Sequence, residues 1–285
     1  MDDRPIGMFD SGFGGLTVAR ALIDLLPDED LVYFGDTGRY PYGPRDLAEV
    51  REFAGEITSL LVEAHDVKMV VVACNTAAAA ALVDLRFDFD VPVVGVVDPG
   101  VRAAVSATRT GRLGVIGTVG TIASGAYQRA VAATRARVTL TCASCPGFVE
   151  LVERGEIGTD QAYVLAERML APLGTAGVDT LLLGCTHYPF LARTISDVMG
   201  RDVVLVSSAD ETAFEVRAIL DETGLNRRSG AGGGKGCHRF VSSGDVAWFR
   251  DLGSRLLGPE LDGVEGWVWS EDRSTAEARS QQGRP

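Results

Sequence analysis

Residues Met69-Val-Val-Val-Ala-Cys74-Asn-Thr-Ala-Ala-Ala-Ala-Ala-Leu-Val83 indicate how this chain folds. The run 69–73 is short, apolar and rich in branched side chains, which is typical of a strand buried on both faces. Asn75 and Thr76 interrupt the apolar pattern, and an alanine-rich segment that favours a helix follows them. The stretch therefore predicts a strand, a tight turn and a helix, which is the repeating unit of a parallel α/β sheet.

The same alternation of apolar runs and amphipathic stretches continues along the chain. The predicted strands cover 6–9, 31–35, 69–73, 93–97, 113–116, 137–141, 180–184, 203–206 and 239–242. The predicted helices cover 15–26, 47–65, 77–86, 99–108, 124–133, 160–176, 189–199, 209–222 and 247–257. This order predicts an α/β protein whose mainly parallel sheets are flanked by helices.

A weak internal repeat divides the chain into two pseudo-symmetric lobes. The segment Ile6-Gly-Met-Phe-Asp-Ser-Gly resembles Leu113-Gly-Val-Ile-Gly-Thr-Val, and a strand ending in a cysteine follows each at a similar distance. We expect residues 1–97 and 208–269 to form the first lobe, residues 98–207 to form the second, and the active site to lie in the cleft between them. By composition, residues 227–238 predict a flexible loop and residues 270–285 a polar tail.

Composition favours a small-molecule partner. The 285-residue chain carries a net charge of −12, which argues against a surface built to bind nucleic acid. Its start contains no basic segment followed by an apolar stretch, and its longest apolar stretch is too short to span a membrane, so we expect neither a secretory signal nor a membrane segment. Five cysteines in such a chain predict reduced thiols and a cytoplasmic location.

Two cysteines occupy equivalent positions. Cys74 follows the run 69–73, and Cys185 follows the run 180–184 and precedes Thr186 and His187. Open α/β sheets bind ligands at the carboxyl ends of their strands. A pair of weak acids there suits a reaction that needs a proton donor on one side of a substrate and an acceptor on the other. A single free cysteine is most commonly a small core side chain, and it is the two matched loops that favour a chemical role.

The chemistry that fits such a pair is removal of the α-proton of an amino acid. A thiolate is a soft base whose reference pKa of about 8.5 allows one partner to be ionised while the other is protonated. A helix N-terminus beside each thiol favours the ionised form. Asn75, Thr76 and Thr186 are candidates to bind a substrate carboxylate.

Each of the further candidates has more than one interpretation. Asp10 follows the first strand, where its carboxylate either binds an ammonium group and assists a thiol or caps a helix. His187 is a general acid, a ligand or a hydrogen-bonded loop residue. Tyr42 and Gly43 either belong to a simple turn or close over a substrate.

Metal and redox chemistry are the competing class of function. Cys142 and Cys145 have the spacing of a redox pair, but they end a strand instead of opening a thioredoxin-type unit. Together with Cys185 and His187 they make an unusual zinc-ligand spacing. The glycine-rich stretch that ends at Lys235 lacks the Ser or Thr of a phosphate-binding loop.

The ordered set of motifs resembles the bacterial glutamate racemases, which belong to the cofactor-independent aspartate/glutamate racemase family. The resemblance covers nearly the whole chain. It is carried by Phe9-Asp-Ser-Gly12 with Gly14-Gly-Leu-Thr17, Gly35-Asp-Thr37, Pro41-Tyr-Gly-Pro44, Ala73-Cys-Asn-Thr-Ala77, Val115-Ile-Gly-Thr118 and Gly184-Cys-Thr-His-Tyr-Pro189.

The resemblance implies interconversion of L- and D-glutamate without a cofactor or metal, to supply D-glutamate for peptidoglycan. It implies that Cys74 removes the α-proton of the D-isomer and Cys185 that of the L-isomer, assisted by Asp10 and His187 respectively. The substrate-binding residues implied are Asp10, Ser11, Tyr42, Gly43, Asn75, Thr76, Thr118, Thr186 and His187. Glu153 matches an acidic position near the pocket. We expect a homodimer, and a related racemase of aspartate or another small acid is the alternative.

Overall fold

The computed structural model describes residues 1–227, 235–261 and 263–269. Most of the predicted loop at 227–238 and the whole predicted tail at 270–285 lie outside the described residues.

The described part of the chain alternates strands and helices. The strands are β1 Ile6–Asp10, β2 Leu31–Gly35, β3 Met69–Val72, β4 Val93–Gly95, β5 Arg112–Gly117, β6 Thr139–Ser144, β7 Thr180–Gly184, β8 Val204–Ser207, β9 His238–Ser242 and β10 Glu265–Gly266. The α-helices are α1 Leu16–Leu25, α2 Leu47–His65, α3 Asn75–Asp88, α4 Val97–Ala107, α5 Val119–Ala123, α6 Ala126–Thr134, α7 Phe148–Arg154, α8 Asp160–Ala176, α9 Ala192–Met199, α10 Ser208–Thr223 and α11 Val246–Leu257. Short 3-10 helices cover Tyr188–Leu191 and Gly258–Glu260.

Within the described residues the strands form two parallel sheets. The larger has the order β10-β9-β2-β1-β3-β4, and the smaller has the order β6-β5-β7-β8. The central strands β1, β2, β3 and β7 are buried along their whole length, as the continuous apolar runs predicted. The α/β class, with two mainly parallel sheets flanked by helices, is confirmed.

Several element boundaries differ from the predicted ones. The apolar run 93–97 is a strand only as far as Gly95, and α4 begins at Val97 because Pro99 fits the first turn of a helix. The strand predicted at 137–141 is shifted to Thr139–Ser144. The elements α5, α7 and β10 were not predicted, because each is too short to show a hydrophobic periodicity in the sequence.

A buried ion pair lies at the amino ends of the strands of the larger sheet. The side chain of Lys68 is fully buried and its Nζ donates to Glu29 Oε2 at 2.5 Å and to the carbonyl of Asp2 at 2.9 Å. Glu29 also accepts from the backbone N–H of Arg227 at 2.8 Å. Each buried charge is therefore compensated at the edge of the sheet opposite the cysteine loops.

None of the helices in the described ranges is long and apolar enough to cross a membrane.

Candidate active site

The carboxyl ends of the two sheets border a cleft with a volume of about 660 Å³, which includes the space at its mouth. Every residue that the sequence analysis proposed for catalysis or substrate binding lines this cleft, except Asp10. The lining candidates are Ser11, Tyr42, Gly43, Cys74, Asn75, Thr76, Thr118, Cys185, Thr186 and His187. The cleft also includes residues that the sequence did not single out, among them Tyr40, Val149 and Glu150.

Cys74 joins the end of β3 to the start of α3. It occupies the N-cap position of that helix, and its Sγ lies 3.7 Å from the hydroxyl of Ser11. Burial raises the pKa of Cys74 to about 11, and the negative charge of Asp10 adds to this effect, although hydrogen bonds from the backbone of Ala77 and from Ser11 oppose it. The expected stabilisation of the thiolate by the helix N-terminus is therefore outweighed by burial.

Cys185 joins β7 to the 3-10 helix Tyr188–Leu191. Its Sγ lies 3.9 Å from Nδ1 of His187. Burial raises the pKa of Cys185 well above that of a free thiol, and the nearby charges of Cys74 and Asp10 raise it further. Because a negative charge on Cys74 raises the pKa of Cys185, the pair favours at most one thiolate at a time.

His187 is held in a closely packed position. Only 3% of the residue is exposed, and burial lowers the pKa of its imidazole to about 4, so the ring is neutral at pH 7. Its Nε2 lies 3.8 Å from Oε1 of Glu153, and the ring of Phe13 packs edge-on against it at 4.8 Å. A Cβ at Gly14 would lie 2.5 Å from Nδ1 of His187 and 2.5 Å from Oγ1 of Thr186. The absence of a side chain at Gly14 is what allows the two loops to meet.

Asp10 lies beneath the cleft and is completely buried. Its Oδ1 accepts a hydrogen bond from the backbone N–H of Gly12 at 2.8 Å, and its Oδ2 accepts one from the hydroxyl of Thr186 at 3.3 Å. The N-cap of α1 is Gly15, so Asp10 is not the cap of that helix. Burial raises the pKa of Asp10 to about 6, which leaves it mainly ionised at pH 7 but within reach of protonation.

The loop 36–44 forms one wall of the cleft, and we call it the substrate loop. The hydroxyl of Tyr42 donates to the buried carboxylate of Asp36, so its oxygen is already engaged within the loop. A Cβ at Gly43 would lie 2.9 Å from the Cβ of Thr118, and the Gly43 carbonyl accepts from the backbone N–H of Gly120 at 3.0 Å. The substrate loop therefore packs directly against α5, which follows a strand of the other sheet.

Three threonine hydroxyls form a closed ring at this junction. The Oγ1 atoms of Thr76 and Thr118 are 3.1 Å apart, those of Thr76 and Thr121 are 3.0 Å apart, and those of Thr118 and Thr121 are 2.9 Å apart. Thr118 also caps α5 by accepting from the backbone N–H of Thr121. The sequence analysis missed Thr121; the S/T-x-x pattern at the start of a helix was its only local signal.

Asn75 is oriented by a second residue that the sequence did not identify. Its Nδ2 donates to the hydroxyl of Tyr127 at 2.9 Å, and Tyr127 is buried on α6. Among the described residues, no group donates a hydrogen bond to the buried Oδ1 of Asn75. An acceptor left unpaired at the wall of a cleft is suited to the ammonium group of a ligand.

Metal-binding geometry is not found in the described ranges. No group of three or more His, Cys, Asp or Glu side chains there could hold a metal ion, and this includes the zinc set considered from the sequence. All five cysteines of the chain lie within these ranges and are free thiols. Cys145 lines the cleft, and burial raises its pKa to about 12.

Comparison with known proteins agrees with this arrangement. The family model described as Asp/Glu/Hydantoin racemase matches residues 16–215. A glutamate racemase from Acidothermus cellulolyticus is 53% identical over 264 residues, which cover 93% of this chain and 99% of that protein.

Two solved structures are similar over nearly their full length. The glutamate racemase isoform RacE1 of Bacillus anthracis has a TM-score of 0.88 at 40% identity, covering 95% of this chain and 98% of the other. The glutamate racemase of Francisella tularensis in complex with D-glutamate has a TM-score of 0.86 at 30% identity, covering 96% of this chain and 100% of the other. The chain is therefore a member of the aspartate/glutamate racemase family, of the glutamate racemase type.

Proposed function

We propose that this protein interconverts L-glutamate and D-glutamate by moving the α-proton between two cysteines. Cys74 removes the proton from the D-isomer, and Cys185 removes it from the L-isomer. In each direction the opposite thiol protonates the carbanion on its other face, so the configuration at the α-carbon inverts. The reaction needs neither a cofactor nor a metal ion.

The observation that carries this proposal is that two thiols from different sheets line one cleft. Each follows the carboxyl end of a buried strand, and each has one polar neighbour within about 4 Å, Ser11 for Cys74 and His187 for Cys185. A racemase that uses two bases needs equivalent groups on opposite faces of the substrate, because a single base returns the proton to the face from which it came. Two similar loops that line one cleft support such an arrangement.

Both thiols have raised pKa values in the free site, so we propose that a thiolate forms only when the substrate is bound, with His187 and Asp10 as the proton acceptors. The neutral imidazole of His187 can accept the proton of Cys185, since its Nδ1 is free to act as an acceptor in one tautomer. Asp10 is ionised at pH 7 and is the proton acceptor proposed for Cys74; its charge disfavours the Cys74 thiolate until the carboxylate takes up the proton. The α-ammonium of a bound amino acid adds a positive charge, which lowers the pKa of both thiols from their raised values.

The remaining lining groups bind the two ends of the substrate. The unpaired Oδ1 of Asn75 accepts from the ammonium group, and the hydroxyls of Thr76 and Thr118 donate to carboxylate oxygens. The Thr186 hydroxyl, which donates to Asp10 in the free site, must turn away from it to do the same. Ser11, Tyr42 and Gly43 complete the pocket through hydroxyl, ring and backbone. Glutamate is favoured as the substrate because the similar Francisella tularensis structure is a complex with D-glutamate.

Incubation with L-glutamate in deuterated water tests the reaction. Without an added cofactor, we expect D-glutamate that carries deuterium at the α-carbon, measured by chiral chromatography and mass spectrometry. Formation of neither D-glutamate nor deuterated substrate contradicts the proposal. Turnover of aspartate with no turnover of glutamate keeps the chemistry and changes the substrate.

Single cysteine variants test the assignment of the two faces. Cys74→Ser and Cys185→Ser are each expected to lose at least about 1,000-fold in racemisation, because a serine hydroxyl is a much weaker acid than a thiol. Residual deuterium exchange should favour L-glutamate in Cys74→Ser and D-glutamate in Cys185→Ser. The matched control is Cys237→Ser, because Cys237 is exposed and outside the cleft. The same isomer preference in both variants contradicts the assignment.

We further propose that the product supplies D-glutamate for peptidoglycan and that the enzyme acts in the cytoplasm as a homodimer. Five free thiols support a reducing compartment. Val83 and Phe87 lie one turn apart on α3 and are 79% and 89% exposed, which supports an apolar contact with a second copy. Light scattering of the wild type and of Phe87→Asp tests the dimer.

We also propose that the chain is divided into two lobes, with boundaries at 97/98 and 207/208. Limited proteolysis near these boundaries tests the division.

A further inference from the structure

We propose that Trp269, in the C-terminal segment 263–269, is a positioning residue that holds the substrate loop 36–44 in its active arrangement. The inference deepens the proposed racemase function and rests on it. It begins from a contact between residues more than 200 positions apart in sequence. The indole Nε1 of Trp269 donates to Oδ1 of Asp36 at 3.2 Å, and Asp36 is the first residue of the substrate loop.

The contact is one of four that converge on a single carboxylate. Asp36 is fully buried, and it also accepts from Nε of Arg39 at 2.7 Å, from the hydroxyl of Ser243 at 2.6 Å and from the hydroxyl of Tyr42. Tyr42 lines the cleft, so one carboxylate separates the C-terminal segment from the wall of the active site. A buried carboxylate holds its position only while its donors remain in place.

Trp269 also fixes the middle of the loop through Arg39. The guanidinium of Arg39 lies between two aromatic rings, with its central carbon 4.0 Å from the ring centre of Trp269 and 4.1 Å from that of Phe53. The Trp269 ring packs in turn against Phe34 in β2, at 5.7 Å. Cation–π contacts on both faces leave only 17% of the Arg39 side chain exposed. Tyr40, the next residue, lines the cleft.

The segment itself is anchored to the sheet. Strand β10 pairs with β9, the backbone N–H of Trp267 donates to the carbonyl of Ser242 at 2.8 Å, and Arg239 makes a two-point ion pair with Glu265 at 3.0 and 2.9 Å. Trp269 therefore follows a strand, β10, that is held to the edge of the larger sheet, and its side chain packs on the substrate loop. Residue 269 is the last residue of the predicted first lobe, and no role was predicted for the residues that end it.

The kinetic test uses two variants and a neighbouring control. Trp269→Ala loses both the hydrogen bond and the ring over Arg39, and we expect its KM for glutamate to rise about tenfold while kcat changes less than about threefold. Trp269→Phe keeps a ring but loses the N–H, and we expect a rise of about threefold. Val268→Ala changes an exposed neighbour and should leave KM unchanged.

Trypsin provides a measurement that does not depend on activity. The bond after Arg39 is expected to be resistant in the wild type and to be cut about tenfold faster in Trp269→Ala. Cleavage after Arg168, on the exposed face of α8, serves as the internal reference for general unfolding. Faster cleavage at Arg39 alone together with a raised KM supports the proposal.

Equal acceleration at Arg39 and Arg168, an unchanged rate at Arg39, or an unchanged KM overturns the positioning role. If the wild type does not racemise glutamate, the proposed function fails. In that case the trypsin measurement still decides whether Trp269 holds the loop.

Discussion

A single methyl group at position 14 is expected to disable the site without unfolding the protein. In Gly14→Ala, the new Cβ would lie 2.5 Å from Nδ1 of His187, 2.6 Å from its Cε1 and 2.5 Å from Oγ1 of Thr186. Ordinary contacts between such atoms are about 3.5 Å, so the His187 loop must shift by about 1 Å. Phe13 packs against the ring at 4.8 Å, which prevents the imidazole from simply turning aside.

The displacement is expected to lower kcat/KM about 100-fold. A misplacement of 1 Å costs about this factor when a catalytic group must meet its partner in a fixed geometry, and the sulfur of Cys185 is already 3.9 Å from His187. The assay measures racemisation in both directions, with far-UV circular dichroism to show that the variant is folded. Because the two enantiomers have equal free energy, kcat/KM must fall equally in both directions; the asymmetry is expected in α-deuterium exchange, which should slow more for L-glutamate since His187 adjoins the thiol assigned to that isomer.

Gly55→Ala is the matched control. Gly55 lies inside α2, and a Cβ there meets no atom within 4 Å. Alanine favours the helix by about 0.5 to 1 kcal/mol over glycine, so this variant should melt about 1 to 3 °C higher with unchanged activity. A folded Gly14→Ala protein whose kcat/KM stays within threefold of the wild type refutes the reasoning.

Three further predictions concern buried polar groups. The folded state holds the proton of Asp10 to a higher pH than the unfolded state does, since burial raises its pKa to about 6. The unfolding free energy of the wild type relative to Asp10→Asn should therefore fall by about 2 kcal/mol as pH rises from about 4 to about 7, measured by urea denaturation. Tyr127→Phe removes the hydrogen-bond partner of Asn75 and should raise KM about fivefold, whereas an unchanged KM would show that Asn75 does not contact the substrate. Lys68→Met leaves Glu29 buried without its cation and should lower the unfolding free energy by about 3 kcal/mol with kcat/KM unchanged, while the double variant with Glu29→Gln recovers most of that loss.

The candidate residues at the ends of strands were predictable because their position follows from local pattern. Cys74 and Cys185 each end an apolar run, and parallel strands end at one edge of their sheet, so their neighbours also reach the cleft. Asp10 satisfies the same pattern, but its side chain turns beneath the surface toward Gly12 and Thr186. The apolar pattern predicts the position of a residue along its strand, whereas the direction of its side chain depends on how the following loop packs.

Groups that depend on contacts between distant elements were not predictable. Tyr127 occupies an apolar position of α6, and only the packing of that helix against α4 and α5 brings its hydroxyl to Asn75. A buried tyrosine hydroxyl needs a partner, which was a signal for some hydrogen bond but not for this one. The raised pKa of Cys74 was not predicted for a similar reason. The helix N-terminus, which favours the thiolate, can be read from the sequence, whereas the complete burial that raises the pKa cannot.

The ring formed by Thr76, Thr118 and Thr121 has a consequence for a site that must accept mirror-image ligands. Each hydroxyl carries one hydrogen and can give it to either neighbour, so the ring can circulate its hydrogens in one sense or the other with the same number of bonds. An arriving carboxylate can thus draw a hydrogen from Thr118 or Thr76 while the other two turn to compensate, without any backbone movement. The hydrogens of this junction can therefore be redistributed toward either enantiomer by rotation about three C–O bonds, with the loss of one hydrogen bond inside the ring offset by the bond to the carboxylate.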